Sequence, residues 1–316
     1  MEKQLLEVRN LQVEYLGIPI VKNISLSLGK GEIFGIVGES GCGKSTLLSA
    51  ILHVLGADGR IVGGRIFFDG KDMSLFKKEE RRRIKGEHLG AVFQNPGESL
   101  NPSRKIETQF YEALKAHRQI SKQESRKLAA DMMERLNLEH GEELLKKYPF
   151  QLSGGMQQRV ALALAMIMDP ELLLADEPTS ALDVTVQAQV IKEMMEMRDK
   201  FGTAILIVTH NMGVISHMAD RVAVMYAGRI VEYGDKKRVL KNPSHPYTRS
   251  LLNAIPDFSG NLPKGLDGNP PPFGIIQAGC EFAERCPFAT EDCKKIIPDL
   301  KQVEEEHFST CMEKGD

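Results

Sequence analysis

"EIFGIVGESGCGKST", from Glu32 to Thr46, is a short apolar run that enters a glycine-rich turn and leaves it through Lys-Ser-Thr. The run reads as a buried strand. Gly38, Gly43, Lys44 and Ser45 then fall at the spacing of a phosphate-binding loop, in its required setting of strand before and helix after. Small residues let backbone N–H groups curl around a phosphate, and the helix that follows presents its positive end to the anion. Lys44 is placed to reach the β- and γ-phosphates, and Ser45 to offer its hydroxyl to Mg²⁺. The expected cradle is Gly38, Glu39, Ser40, Gly41, Cys42, Gly43, Lys44, Ser45 and Thr46, with Cys42 a small filler rather than a reactive thiol.

Such a loop needs an acidic partner to hold the metal and activate water. "LLLADEP" supplies it: four apolar residues carry a strand through a core, Asp176 emerges where the sheet ends, and Glu177 follows. Asp176 is expected to hold Mg²⁺, through water, and Glu177 to polarise the attacking water. "AILIVTH", Ala204 to His210, is a further buried strand. The helical "VTVQAQVIKEMMEMRDKFG" lies between these two and ends at Gly202, a C-cap signal. Strand, helix, strand in this order implies a right-handed crossover in a parallel sheet. "LLEVRNLQVEYL" alternates like a half-buried strand, and "GRIFFDGKDM" ends a strand on an Asp69-Gly70 turn. From Ile106 to Leu138 the period becomes helical: Ile106, Phe110, Leu114 and His117 share one face, as do Leu128, Met132 and Leu136. Ser121 and Glu124 form a candidate capping box. Fold class is therefore α/β, with a helical insert.

The totals set limits. The chain has 316 residues, enough for a main domain and an extension. Formal net charge is −2, which favours neither nucleic acid nor an anionic membrane as partner. The apolar run "VALALAMIM" is half the roughly 18–20 residues that span a bilayer, and the N-terminus has no signal-peptide core. The chain reads as cytoplasmic, and a reducing cytosol argues against structural disulfides. Beyond Lys241 the character changes, and "PDFSGNLPKGLDGNPPPFG" is too rich in Pro and Gly for regular structure. A linker is expected there, followed by a small unit holding four of the five cysteines. For those four, a metal, a redox role and no special role all remain open.

"LSGGMQQRVALALA", from Leu152, adds a second glycine-bearing helix start, with Ser153, Gly154 and Gly155 as its anion-binding residues. With the phosphate loop, "LLLADEP" and "VTH" in this order, the sequence resembles the ATP-binding-cassette ATPases over about Leu5 to Leu240. The resemblance implies a P-loop NTPase fold with a RecA-like core, an antiparallel β-subdomain and a helical subdomain at about residues 96–156. It implies ATP and Mg²⁺ as cofactors, and a second copy whose Ser153–Gly155 grips the γ-phosphate. Tyr15 falls where a ring stacks on adenine. Gln94 in "AVFQNP" matches the residue that touches Mg²⁺ with Ser45 and Asp176 and that couples to membrane subunits. Asp183 in "SALD" matches the loop that crosses between copies, and His210 the switch histidine on the γ-phosphate. The implied catalytic set is Glu177, His210, Gln94 and Lys44.

With no membrane helices and one cassette, the chain resembles a detached importer subunit. "SALDVTVQAQVI", "ADRVAVMYAGRIVEYG" and "NPSHPYTRSLLNAIP" are similar to oligopeptide/dipeptide importer ATPases, as is the tail "GCEFAERCPFATEDC". Expected partners are two integral-membrane permeases, a sister ATPase or a second copy, and indirectly an extracellular peptide-binding protein. No nucleic acid is expected, and the location implied is the cytoplasmic face of the cell membrane. Importers of nickel or glutathione, and a soluble cassette outside transport, are the alternatives. The expected domains are residues 1–241 for the cassette and 242–316 for the extension. Two departures stand out: "FQNPGESLNP" differs from the usual version, and Asn211 replaces the aspartate common after the switch histidine. Cys280, Cys286, Cys293 and Cys311 are separated by five, six and seventeen residues, wider than the usual zinc spacing. Four thiolates suit an iron–sulfur cluster. The resemblance implies a 4Fe–4S cluster on these four, with zinc, and His307 as a substitute ligand, the alternative.

Overall fold

The computed structural model describes residues 4–95, 99–180, 182–255, 266–272, 274 and 277–311. The strands among them are β1 (Leu6–Tyr15), β2 (Ile18–Leu28), β3 (Ile33–Val37), β4 (Gly59–Phe68), β5 (Lys71–Asp72), β6 (Leu89–Val92), β7 (Leu172–Asp176), β8 (Ala204–Thr209), β9 (Arg221–Tyr226), β10 (Arg229–Asp235), β11 (Lys301–Glu304) and β12 (His307–Ser309). The chain divides into two compact units, which it enters more than once.

One unit holds residues 6–27, 33–71 and 208–316. Its outer sheet runs β2-β1-β4-β5, with β1 antiparallel to β4 and Tyr15 opposite Gly59. Its second sheet begins with β3, whose five residues are all buried, as an apolar run without alternation requires. β9 lies parallel to β3, and β10 returns antiparallel to β9. The helix Met212–Met218 packs closely on β3: a Cβ at Gly35 would stand 2.6 Å from Cδ1 of Ile215.

The C-terminal tail adds strands to this unit's second sheet. β12 pairs antiparallel with β10, matching Glu232 to Ser309 and Gly234 to His307, and β11 continues the sheet beyond it. Residues 208–316 cluster together in this unit. The few apolar residues of the tail suffice because they insert into a core that already exists. Phe282, buried to 1% exposure, packs against Tyr226, Tyr247 and His245. Most of the expected Pro/Gly linker, residues 256–265 and Phe273, lies outside the described residues.

The other unit holds residues 1–5, 28–32 and 72–207. β6 and β7 are parallel, Leu89 opposite Leu172, and β8 is the neighbour of β7. The helix Val184–Phe201 connects β7 to β8 and ends on Gly202 at φ 68°, the expected C-cap. The insert is helical at Ile106–Lys115 and Lys122–Arg135, with Ile106, Phe110 and Leu114 fully buried. Of the capping box, the structure shows the Ser121 half, its hydroxyl accepting from the Glu124 N–H. The helix Gly154–Met166 is tied to Val184–Phe201 by Arg159 and Glu193, 2.8 Å apart with the carboxylate fully buried.

Candidate functional site

The phosphate loop is a backbone cradle that depends on glycine at Gly38 and Gly43. A Cβ at Gly38 would lie 2.1 Å from the carbonyl oxygen of Met225, so only glycine fits. Gly43 sits at φ 103° with Ile20 O and Met225 Cε close by, and it starts the helix Lys44–Ile51. Lys44 is buried, its Nζ donating to Gly38 O at 2.7 Å and to Glu39 O at 2.9 Å. The ammonium is thus held at the centre of the loop. Cys42 is buried and burial pushes its thiol pKa up, consistent with a filler. Ser45 is exposed in the first helical turn. A cavity of about 230 Å³ opens beside the loop, lined by Ile20, Ser40, Gly41, Tyr226 and Pro270 among others. Tyr15 ends β1, and its ring lies over Gly59, where a Cβ would be 2.8 Å from Cε1. β8 stops at Thr209, so His210 stands exposed just past the strand rather than within it. Asn211 caps the next helix, accepting from Gly213 N–H at 2.8 Å, which keeps the cap an aspartate would give. This cradle of glycines, lysine and helix start fits a nucleoside triphosphate.

The other unit carries the acids and the second helix start. Asp176 is the last residue of β7, and both it and Glu177 are buried. Glu177 adopts φ 44°, a left-handed backbone uncommon for a residue with a side chain. Gln94 Nε2 donates to Glu177 Oε2 at 3.4 Å, so two of the expected catalytic residues meet. Ser153 is the N-cap of the signature helix, accepting from Met156 N–H. Gly154 faces open space, whereas a Cβ on Gly155 would stand 2.7 Å from Val186 Cγ1. Asp183 caps Val186's helix, accepting from Thr185 and Val186 N–H at 3.0 Å each. The signature residues and Asp183 are therefore neighbours. Part of the "FQNPGESLNP" stretch, residues 96–98, and Ala181 of "SALD" lie outside the described residues.

The four tail cysteines converge. Cys280, Cys286, Cys293 and Cys311 line one pocket with His245, Phe282 and Phe288, and all four are free thiols. Burial, with the neighbouring cysteines, pushes the Cys280 thiol up to about 11. Burial pushes His245 down to about 4. His307 is not in this group, contrary to its suggested place as a substitute ligand: its Nε2 lies 2.7 Å from Glu232 Oε1, both side chains fully buried. Pairing of β12 with β10 aims it at Glu232. Among the described residues, no three His, Cys, Asp or Glu stand close enough to hold one metal ion.

Three residues were not singled out in the sequence. Tyr247 accepts the Glu39 N–H at 2.9 Å, Glu281 pairs with Lys22, and Arg285 forms two bonds to the Glu39 carboxylate. For Glu281 and Arg285 the signal was charge between cysteines in "GCEFAERC", with partners some 250 positions upstream.

These features define a nucleotide-hydrolysing P-loop protein with a signature helix. The sequence matches the family described as ABC transporter over residues 21–180, and the one described as oligopeptide/dipeptide transporter, C-terminal region, over residues 231–293. The dipeptide transport ATP-binding protein DppD of Bacillus subtilis is 40% identical over 98% of this chain and 95% of its own. The oligopeptide transport ATP-binding protein OppD of Escherichia coli is 40% identical over 93% and 89%. Among solved structures, cbiO1 from Clostridium perfringens, part of the transporter complex cbiONQ, matches with TM-score 0.67 and 30% identity, covering 76% of this chain and 92% of that one. A dimeric post-hydrolysis structure of the cassette MJ0796 bound to ADP and Pi matches with TM-score 0.65 and 28% identity, covering 73% and 98%. The chain belongs to the ABC transporter family, as an ATP-hydrolysing subunit. No described helix is long and apolar enough to cross a membrane.

Proposed function

We propose that the chain powers uptake of di- and oligopeptides through two partner permeases, docked on the cytoplasmic face of the membrane. The observation that carries this reading is the match at both ends, the cassette at residues 21–180 and the peptide-importer tail region at residues 231–293. We take residues 1–241 as the cassette, with a helical subdomain at about 96–156, and 242–316 as the extension.

In this reading Tyr15 stacks on adenine, and Gly38 to Thr46 hold the phosphates. Ser45, Gln94 and Asp176 hold Mg²⁺, Glu177 polarises water, and His210 contacts the γ-phosphate. Ser153, Gly154 and Gly155 of a second copy or sister ATPase complete the pocket, with Asp183 at the crossing loop. ATP then bridges two chains, and hydrolysis removes the bridge, a two-state switch set by the ligand. The cysteine pocket supports a 4Fe–4S cluster better than zinc. A cluster takes one thiolate per iron, so its ligands need not share a single ion's coordination sphere. Bound there, it would supply four iron–thiolate cross-links to a tail with little core of its own.

The test is reconstitution with its two permeases and binding protein in liposomes, following ATP-dependent entry of labelled dipeptides, oligopeptides, nickel and glutathione. Peptide entry supports the reading. Entry of nickel or glutathione alone reassigns the cargo, and failure to bind any permease returns the chain to the soluble cassettes. Iron content and broad absorption near about 400 nm in anaerobic protein test the cluster.

A further inference from the structure

The segment Cys280–Cys286 faces two ways. Its end cysteines line the thiol pocket, while Glu281 and Arg285 between them reach the nucleotide loop and its flanking strands. Glu281 takes Lys22 Nζ at 2.8 Å and Arg229 Nε at 3.4 Å. Arg285 donates to both carboxylate oxygens of Glu39, at 2.7 and 3.1 Å. It also donates from Nε to Asp267 O at 2.9 Å, and its guanidinium lies over the rings of Tyr226 and Phe282. Its side chain is only 6% exposed.

Glu39 is the second residue of a cradle built to receive polyphosphate. A bare carboxylate there would repel the ligand, and the repulsion is weakly screened away from bulk water. A planar guanidinium with two parallel bonds neutralises it and fixes its direction. The rest of Glu39 is held as well: its N–H by Tyr247, its carbonyl by Lys44. Two of these three restraints come from beyond Lys241.

We propose that Arg285 is a positioning residue for the phosphate loop, and that through it the cysteine pocket and the nucleotide site are energetically coupled. Order in Cys280–Cys286 favours ATP binding. By reciprocity, ATP binding favours order in Cys280–Cys286. The state of the thiol pocket thereby sets ATP affinity.

The experiment uses the full-length chain and Mg²⁺, with a non-hydrolysable ATP analogue for binding and ATP for turnover. Arg285→Gln should weaken nucleotide binding on the order of tenfold, raising KM for ATP with kcat little changed. Glu39→Gln removes the charge that Arg285 neutralises, so the affinity of this variant, whatever its own value, is the reference for the double variant. Adding Arg285→Gln to Glu39→Gln should cost little more. A purely structural role for Arg285 predicts the same loss in both backgrounds, and that result would overturn the proposal, as would unchanged affinity in Arg285→Gln. Arg285→Lys keeps the charge but not the fork, and should restore part of the affinity. Hydrogen–deuterium exchange supplies a readout that does not need the Arg285 variants to fold. The nucleotide should slow exchange across residues 280–286 in the unaltered chain and fail to do so in Glu39→Gln. Exchange there that ignores nucleotide in the unaltered chain rules the coupling out.

Discussion

The phosphate loop and the cysteine pocket are both concave sites in the same compact unit, and they are built in opposite ways. The loop is assembled from nine consecutive residues, and its shape is a backbone property that Gly38 and Gly43 permit. The pocket is assembled from residues spread over 245–311, brought together by the β10–β12 register and by Phe282 in an aromatic cluster. The first kind of site is made by local sequence. The second exists only once long-range pairing is in place.

The sharpest contrast in function concerns one atom group. Glu177→Gln should lower ATP turnover by about 10²–10⁴-fold, the usual cost of losing a general base, while nucleotide binding persists. Gln is isosteric and can still meet Gln94, which now bonds the carboxylate. Steady-state phosphate release and equilibrium binding, measured on one preparation, separate the two effects. The variant should also trap two chains together on ATP, visible as a doubled mass in solution. A variant that stays monomeric with ATP and its partner present would break the bridging account.

The pocket side is broken through packing. Phe282→Ala removes a ring that is 1% exposed and meets Tyr226 edge-on at 5.3 Å between centroids. The expected cost is about 3–5 kcal/mol, from lost burial and the cavity left behind. Denaturant unfolding with a probe in residues 280–311 should show this part opening first. If the whole chain instead unfolds in one unshifted transition, the tail does not depend on that wedge.

What could be read from the sequence follows the same divide. The cradle, the acid pair and the signature helix were legible because each is a contiguous motif whose neighbours state its context. Tyr247, Glu281 and Arg285 were not, because nothing in "PYTRS" or "GCEFAERC" names a partner some 200 to 260 residues away. From the sequence, the tail reads as a small cysteine-bearing unit after a linker. What the sequence did not show is that the tail adds two strands to an existing sheet, held by one buried phenylalanine and a buried His307–Glu232 pair. His307 illustrates the limit: its type and position suited a metal, but the register turned it toward a carboxylate.

A smaller effect tests the departure at Asn211, just after His210. Asn211 accepts the Gly213 N–H at 2.8 Å as an N-cap. Asn211→Ala should cost about 1 kcal/mol, and Asn211→Asp should be nearly neutral because either side chain can cap. Thermal unfolding of the two variants checks this. A large loss in Asn211→Asp would mean that the asparagine does something beyond capping.

The mildest expectation is a slope rather than a loss, and it concerns the unit that carries the signature helix. Glu193 is fully buried, and burial pushes its carboxyl pKa up despite the Gln189 and Arg159 bonds that pull it down. The folded chain therefore holds this proton more tightly than the unfolded one. Stability from this group is present below the ordinary carboxylate value and is lost as pH rises through the raised one. Glu193→Gln carries no titrating proton, so the difference in Tm between it and the unaltered chain should shift in the variant's favour as pH rises from about 4 to about 7. Arg159 keeps its bond to Leu136 O at 2.5 Å in either case, which anchors the guanidinium without the carboxylate. A difference that moves the other way would mean that the Arg159 pairing outweighs burial, and that the signature helix is held by charge rather than by a neutral hydrogen bond.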